Sequence, residues 1–174
     1  MQFDGGYIRL LKIKDVHADY VNGPNDPDVN RYLVGVRRTR QTLDGVKSFV
    51  DHNLSSNDAL LFGIWLDRAD KHCGTIRLHG IEHENATAHV GICLFDKSVW
   101  GRGIATHAIR AATLWAQQTL KLRWIEAGVY EGNVGSEKAF SSAGYEWVYD
   151  IPDKYLYEGK PLRVRVFAAR KSVS

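Results

Sequence analysis

Residues 89–106 of this 174-residue chain read His89-Val90-Gly91-Ile92-Cys93-Leu94-Phe95-Asp96-Lys97-Ser98-Val99-Trp100-Gly101-Arg102-Gly103-Ile104-Ala105-Thr106. The apolar run up to Phe95 predicts a β-strand, and apolar positions at helical spacing predict a helix over residues 104–120. The loop between them contains Gly101 and Gly103, which allow the backbone to approach a ligand closely. The segment therefore predicts a strand that leads through a glycine loop directly into a helix.

The start of that helix is a candidate anion site. Its first N–H groups have no acceptor within the helix, and the helix dipole places partial positive charge there. Such an N-terminus favours a phosphate group, most naturally the pyrophosphate of a nucleotide-like cofactor. The loop has neither a Gly-Lys-Ser/Thr sequence nor a Gly-x-Gly-x-x-Gly run, which argues against ATP and NAD. A tight turn that only caps the helix explains the spacing equally well.

The segments on either side predict further strands and helices. Apolar runs predict strands at residues 7–13, 60–66, 72–81, 86–95, 123–130, 145–151 and 161–169. Helical spacing and N-cap residues predict helices at 15–20, 42–54, 104–120 and 134–143, with a further helical turn at 28–33. We therefore expect a mixed α/β (α+β) fold, with a mostly antiparallel sheet of about seven strands flanked by about four helices.

Length and composition favour one globular domain over residues 1–174, with 44% hydrophobic and 25% charged residues. The sequence has no apolar run of about 18 residues that would suggest a membrane span, and no signal-peptide pattern, so we expect a cytoplasmic protein. A net charge of +3 without a dense basic stripe argues against nucleic acid as a partner. Cys73 and Cys93 lie in apolar runs and are expected to be buried, reduced thiols.

The glycine loop resembles a known cofactor loop. Gly101-Arg102-Gly103-Ile104-Ala105-Thr106 is similar to the acetyl-CoA pyrophosphate loop of the GNAT superfamily of N-acetyltransferases, whose pattern is Gln/Arg-x-x-Gly-x-Gly/Ala. Gly103 and Ala105 match this pattern, whereas Trp100 stands where relatives have Gln or Arg. The Trp-Gly-Arg-Gly-Ile-Ala form resembles the branch of ribosomal-protein and amino-sugar acetyltransferases. We expect Trp100 to contribute packing in place of a polar contact.

A second segment carries the same resemblance. Asn133-Val134-Gly135-Ser136, followed by Phe140 and Gly144-Tyr145, is similar to the Asn-x-x-Ser/Ala…Tyr/Phe…Gly-Phe segment of GNAT enzymes. The predicted order of elements is also that of the GNAT fold, so the resemblance covers essentially the whole chain. It implies an acyltransferase that uses acetyl-CoA as cosubstrate.

The resemblance also implies where acetyl-CoA binds. The sheet should splay between the strand that ends at Phe95 and the strand at 123–130, strands four and five of the prediction, and the pantetheine arm should lie in the opening. One backbone N–H there should face the thioester oxygen. The backbone groups expected to pair with the arm belong to Cys93, Leu94 and Phe95. The pyrophosphate should lie on Trp100, Gly101, Arg102, Gly103, Ile104, Ala105 and Thr106. The remaining predicted cofactor contacts are Asn133, Ser136 and Phe140.

The catalytic groups are predicted from what the chemistry needs. The amine must lose a proton before it attacks, and the leaving thiolate needs one. Many GNAT enzymes donate that proton from a Tyr, but Phe140 stands at the matching position, so Ser136 is the predicted donor. His89 aligns with a Glu of relatives and is the predicted base. Other groups that could line the acceptor side are His79, Glu82, Glu126 and Tyr130. The enzyme could also bind a free amine without a dedicated base.

The acceptor is the least determined part. A stretch common in the same branch is resembled by Asp26-Pro27-Asp28-Val29-Asn30-Arg31-Tyr32-Leu33. Together with the Asn133 segment, this stretch also resembles acetyltransferases that are encoded with surface-polysaccharide genes. A nucleotide-linked amino sugar is the predicted acceptor, and a peptide N-terminus is the leading alternative. The side chains available for a diphosphate are Arg37, Arg38 and Arg40.

Three further expectations concern partners and ligands. The alternative to an enzyme is a CoA-binding module without catalysis. Phe140, in place of the Tyr that donates a proton in many relatives, favours this alternative slightly. No metal is expected, because no Cys or carboxylate set completes His79 and His83. The resemblance implies a homodimer, for which the candidate contacts are Trp147, Tyr155 and Tyr157.

Overall fold

The computed structural model describes residues 1–171, and its centre is one eight-stranded sheet. The strands are β1 (Gln2–Phe3), β2 (Gly6–Leu10), β3 (Leu60–Leu66), β4 (Lys71–Glu82), β5 (Thr87–Leu94), β6 (Trp124–Tyr130), β7 (Glu146–Tyr157) and β8 (Lys160–Arg170). Their spatial order is β1-β2-β3-β4-β5-β6-β8-β7. All neighbours are antiparallel except β5 and β6, which are parallel. The mostly antiparallel mixed sheet expected from the sequence is therefore confirmed.

Six α-helices flank the sheet within the described residues. They are α1 (Ala18–Asn22), α2 (Pro27–Asn30), α3 (Val34–Arg37), α4 (Leu43–Leu54), α5 (Ile104–Thr119) and α6 (Val134–Ser142). The predicted number was about four, and the difference lies in the short helices of the N-terminal half. The α3 segment, Val-Gly-Val-Arg, combines a glycine with β-branched residues, which have low helix propensity, so tertiary contacts rather than local preference form it.

The structure differs from the predicted strands at two places. The expected number was about seven, and the extra strand is β1, a two-residue segment that pairs with β2. The second difference is β7, predicted to end at residue 151 but extending to Tyr157. Pro152 indicates a break in the sequence, yet β7 is the last strand of the sheet, and an edge strand tolerates a proline. The ladder to β8 has irregularities at Trp147/Tyr149 and at Ile151/Tyr155.

The two faces of the sheet are covered differently. Helices α5 and α6 cover one face, where the largest core cluster includes Phe62, Ile76, Ile109, Ile125 and Phe140. Helices α1 and α4 cover the other face over β2, β3 and β4, where the second cluster includes Leu11, Tyr20, Val50, Trp65 and Phe95. On that second face, none of the helices within residues 1–171 packs over β5 and β6 as α1 and α4 pack over β2, β3 and β4. A groove therefore runs across the middle of the sheet.

The second cluster contains a buried imidazole. His72 is 5% exposed, and its ring stacks on Trp65 at a centroid distance of 4.5 Å. Its Nε2 donates to the carbonyl of Gly74 at 2.9 Å, so its Nδ1 carries no proton and accepts from His17 Nε2 at 3.1 Å. Burial, with a smaller contribution from His17, lowers the pKa of His72 to about 4. The fold therefore contains His72 in its neutral form.

We predict that His72 makes the free energy of unfolding depend on pH. The folded pKa lies below the unfolded value of about 6.5, so the unfolded chain takes up a proton first as the pH falls. The contribution is complete above about pH 6.5 and is lost progressively towards pH 4, up to about 3 kcal/mol. The free energy of unfolding, measured by urea denaturation at a series of pH values from 7.5 to 4.5, should fall less steeply with decreasing pH in His72→Gln than in the parent protein. Equal slopes would contradict the prediction.

Candidate active site

The opening in the sheet lies between β5 and β6. These strands pair from Thr87↔Trp124 to His89↔Glu126, and the pairing ends there. Beyond that point each strand remains bound on its outer side, β5 to β4 as far as Leu94 and β6 to β8 as far as Tyr130. The two strands therefore diverge while each keeps its extended conformation, which confirms the expected splay.

Hydrogen-bond alternation determines which backbone groups face the opening. Phe95 donates its N–H to the Cys73 carbonyl of β4 at 3.1 Å, so the groups of the preceding residue, Leu94, point the other way. The Leu94 carbonyl accepts there from Trp100 Nε1 at 3.0 Å. By the same alternation the groups of Ile92 face the opening. Of the three residues expected to pair with pantetheine, Leu94 has backbone groups that face the opening. Ile92 was not among the three, because the register of β5 against β4 is not visible in the sequence.

The glycine loop leads into α5 with its first N–H groups free of side-chain caps. Gly101 and Gly103 have φ values of +72° and +79°, in the left-handed region that favours glycine. Gly103 is the N-cap and has no side chain to accept a hydrogen bond. The first helical bond runs from His107 N–H to Gly103, so the N–H groups of residues 104–106 lie ahead of the helical ladder. A helix start of this kind suits a pyrophosphate, and the contacts of residues 100–106 with that group stay predictions.

Ion pairs anchor this loop to its neighbours. Lys97 lies 2.6 Å from Asp26 and 3.0 Å from Asp28, at the start of α2. Asp96 lies 2.7 Å from Lys71 of β4 and accepts from the backbone N–H of Ser98. Sequence reasoning did not find these contacts, because they join segments far apart in the chain. They connect the candidate cofactor loop to the N-terminal segment that was expected to bind the acceptor.

The second predicted segment forms the start of α6. Asn133 is its N-cap and accepts from the backbone N–H of Ser136 at 3.2 Å. Ser136 is half-buried, and its hydroxyl has no hydrogen-bond partner among residues 1–171. Phe140 is 3% exposed and packs its ring against Tyr145, whose hydroxyl bonds with Thr113. Phe140 is thus part of the core, and the roles of Asn133 and Ser136 towards a cofactor stay predictions.

A histidine and a carboxylate face each other at the start of the opening. His89 Nδ1 lies 3.9 Å from Glu126 Oε2, and their side chains are 55% and 17% exposed. Glu126 is held by two donors, Trp124 Nε1 at 2.8 Å and Tyr149 Oη at 3.1 Å. His79 stacks on His89 at a centroid distance of 5.5 Å. Burial lowers the pKa of His79, and burial followed by Glu126 raises the pKa of Tyr149.

Two glycines form the floor just beyond this pair. Gly91 follows His89 by two residues and Gly128 follows Glu126 by two, so both lie on the same face as the pair. Both are exposed, and a Cβ built on Gly91 would meet nothing within 4 Å. A Cβ on Gly128 would meet Val164 at 3.2 Å. The groove is therefore lined by bare backbone where the strands part, which leaves room for an acceptor beside the opening.

Other predicted residues lie further away or are already in contact with neighbours. Arg37 lies over the Tyr157 ring at 4.1 Å and 3.7 Å from Glu158, so its guanidinium has partners. Glu82 accepts from the hydroxyl of Thr87 at 3.5 Å. Thr87 precedes His89 by two residues on β5. Tyr130 ends β6, beside the opening, and burial raises its pKa.

Metal sites and thiol sites each require particular side-chain groupings. Residues 1–171 contain no group of three or more His, Cys, Asp and Glu side chains placed to hold a metal ion. Burial raises the pKa of both Cys73 and Cys93 to about 12, which disfavours the thiolate that a nucleophile requires. No helix within the described range is long and apolar enough to cross a membrane.

The β5–β6 opening, with an uncapped helix start at its mouth, fits the site of an acyltransferase that uses a CoA thioester. Residues 7–146 match the acetyltransferase (GNAT) domain family. The chain is also 30% identical over 144 residues to the probable N-acetyltransferase YjcK of Bacillus subtilis strain 168, covering 80% of this chain and 79% of that protein. The chain belongs to the GNAT family and is an N-acetyltransferase with acetyl-CoA as donor.

Solved structures have the same fold at low sequence identity. The spermidine N-acetyltransferase of Vibrio cholerae, in complex with CoA and spermine, has a TM-score of 0.84 at 16% identity, covering 96% of both chains. A GNAT-family acetyltransferase of Bacillus anthracis has a TM-score of 0.83 at 19% identity, covering 97% of this chain and 96% of that chain. The ribosomal-protein-S5-alanine acetyltransferase of Vibrio fischeri has a TM-score of 0.76 at 20% identity, covering 98% and 95%.

We predict that side chains at position 91 block the acceptor without harming the fold. Gly91→Ala and Gly91→Val place atoms in open space on an exposed strand face, so the melting temperature should stay within a few degrees of the parent's or rise. The kcat/KM for the amine should fall with side-chain size, by roughly tenfold or more for Val, because an acceptor displaced by about 1 Å loses its alignment. Binding of acetyl-CoA, measured by calorimetry, should be unchanged. Full activity of Gly91→Val would contradict the prediction.

Proposed function

We propose that the enzyme acetylates the primary amine of a nucleotide-linked amino sugar, by direct attack on acetyl-CoA in a ternary complex. The observation that carries this proposal is the His89–Glu126 pair at the last paired position of β5 and β6, with bare backbone just beyond it. A base at this point faces the place where an amine in the groove and a thioester in the opening would meet.

Each step has a residue to perform it. His89 takes a proton from the ammonium group, either directly or through one water, and Glu126 orients the imidazole and stabilises its cationic form. The amine nitrogen then bonds to the acetyl carbon. Backbone N–H groups of Ile92 or Leu94 stabilise the negative charge on the carbonyl oxygen. As the carbon–sulfur bond breaks, Ser136 gives its hydroxyl proton to the sulfur. The nitrogen, which still carries two protons, loses one through water to the serine oxygen, so that the amide, the thiol and Ser136 are all neutral again.

The charges around the groove favour an anionic carrier for the amine. Arg38, Arg123 and Arg170 lie around this face, whereas the carboxylate of Glu126 is already bound by Trp124 and Tyr149. A polyamine, the ligand of the Vibrio cholerae neighbour, would meet repulsion from these cations. A peptide N-terminus is the second candidate, favoured by the likeness to the enzyme named for ribosomal protein S5.

The test is release of free thiol from acetyl-CoA with purified protein. The acceptor panel contains nucleotide-linked amino sugars, the same free amino sugars, N-terminal peptides and polyamines. Turnover should be highest, by kcat/KM, with a nucleotide-linked amino sugar. Faster turnover of a peptide or a polyamine would replace the proposed acceptor, and no turnover of any amine would oppose the proposal as a whole.

We predict separate effects for the base and its partner. His89→Gln should lower kcat by roughly 10²-fold or more, because it removes the general base. Glu126→Gln should lower kcat less, because the amide keeps the size of the carboxylate but loses its charge. The KM for acetyl-CoA should change little in either variant. The comparison is a steady-state series with the preferred amine, and a His89→Gln enzyme of parental kcat would remove His89 from the mechanism.

Ser136 has a matched control on the same helix. Ser136→Ala should lower kcat, by roughly tenfold or more, if its hydroxyl protonates the leaving sulfur. Ser141→Ala changes an exposed hydroxyl of α6 and should leave kcat unchanged. Equal kcat values for the two variants would assign the proton to solvent.

A further inference from the structure

A cavity of about 640 Å³ lies on the groove side of the sheet, next to the His89–Glu126 pair. Its lining includes Thr87, Arg123, Trp124, Glu126, Arg170 and Lys171. We infer that this cavity binds the nucleoside diphosphate portion of the acceptor, an inference that rests on the proposed function. The sequence-based expectation had instead assigned the diphosphate to Arg37, Arg38 and Arg40.

The position of the cavity fits an amine attached to a larger group. His89 and Glu126 form its boundary towards the opening, and Thr87 and Trp124 lie two residues further back on the same two strands. Two residues of a strand span about 7 Å. The volume is within the range of about 300–1,000 Å³ typical of small-molecule sites. A sugar over the His89–Glu126 pair would thus direct its amine to the opening and its anomeric substituent into the cavity.

The charges of the lining select a phosphate. Arg123 and Arg170 contribute two guanidinium groups, and Glu126 contributes the one carboxylate of the lining. The Nζ of Lys171 donates to the Gln117 carbonyl at the end of α5 at 3.4 Å. Arg123 uses Nε for the carbonyl of Asn85, which leaves its terminal nitrogens for a ligand. Planar guanidinium groups bind phosphate oxygens in a bidentate manner, which an ammonium cannot do. Arg170 lies 2.7 Å from Glu146, an exposed pair that costs little to rearrange.

An aromatic ring in the lining favours a nucleoside over a bare phosphate. Trp124 is half-buried, and its indole N–H is fixed by Glu126 at 2.8 Å, so the ring has a defined orientation. The guanidinium of Arg170 lies 5.6 Å from its centroid. A planar base can stack on such a ring beside the cations that hold the diphosphate. By contrast, the ring nearest Arg37 is already covered by that guanidinium.

The experiment is calorimetric titration of uridine diphosphate into protein saturated with CoA, so that the adenine nucleotide site of the cosubstrate is filled. We expect binding that is roughly tenfold tighter than that of inorganic pyrophosphate, because of stacking on Trp124. The double variant Arg123→Gln/Arg170→Gln should weaken uridine diphosphate at least tenfold. Trp124→Leu should remove the preference over pyrophosphate.

The matched control is Arg163→Gln. Arg163 is an exposed arginine of β8, as Arg170 is, and it also has one carboxylate partner, Asp150 at 3.6 Å, but it does not line the cavity. The affinity of the Arg163→Gln variant for uridine diphosphate should equal that of the parent protein. No binding to the parent, or equal binding to the parent and the double variant, would overturn the inference.

The two proposals fail in different ways. If the protein acetylates plain amino sugars or peptides but binds no uridine diphosphate, the acetyltransferase mechanism stands and the assignment of the cavity falls. If it binds uridine diphosphate at Arg123 and Arg170 but releases no thiol with any amine, the cavity assignment stands and the proposed function falls.

Discussion

The site depends on one interruption in backbone pairing, the end of the β5–β6 ladder after three residue pairs. A strand edge with unpaired N–H and C=O groups is unfavourable unless water or a ligand pairs with it. Here the strands cannot collapse back onto each other, because β4 and β8 hold them along their outer sides. The opening is thus a permanent part of the fold, shaped to take an extended chain of peptide-like groups between two strands.

The helix that connects the two parallel strands also completes the site. Two adjacent parallel strands need a crossover, and α5 provides it on the face where its apolar side packs over the sheet. Because only the loop of residues 95–103 separates β5 from α5, the free N–H groups of α5 lie near the end of the opening. The same connection therefore produces the parallel pair, the opening and the anion site. Lys97 and Asp96 then fix this loop to the start of α2 and to β4, so that it is connected to the N-terminal helices.

The parts of the site predicted from the sequence are those coded by local chemistry. Gly103 at the helix start and Asn133 as an N-cap act within three or four residues of themselves, and a single segment reveals them. Non-local register decides the rest. That Ile92, rather than Cys93, faces the opening depends on the Phe95–Cys73 bond. That Glu126 faces His89, held by Tyr149, depends on pairing across four strands. Short elements such as β1 and α3 have too little local preference to be recognised.

The same geometry limits which amines can react. Helices α5 and α6 cover one face of the sheet. An acceptor would therefore reach the opening from the other face, across His89 and Gly91. An amine must then fit between the opening and whatever holds the remainder of its molecule. The proposed diphosphate site begins two strand residues, about 7 Å, behind the His89–Glu126 pair. On this proposal, a ligand whose anion lies beyond its amine by about that distance binds at both ends. A polycation would then be repelled at one end, and a free amino sugar would be held at only one. The proposed selectivity thus depends on the spacing between two sites on neighbouring strands, which the β5–β6 pairing sets.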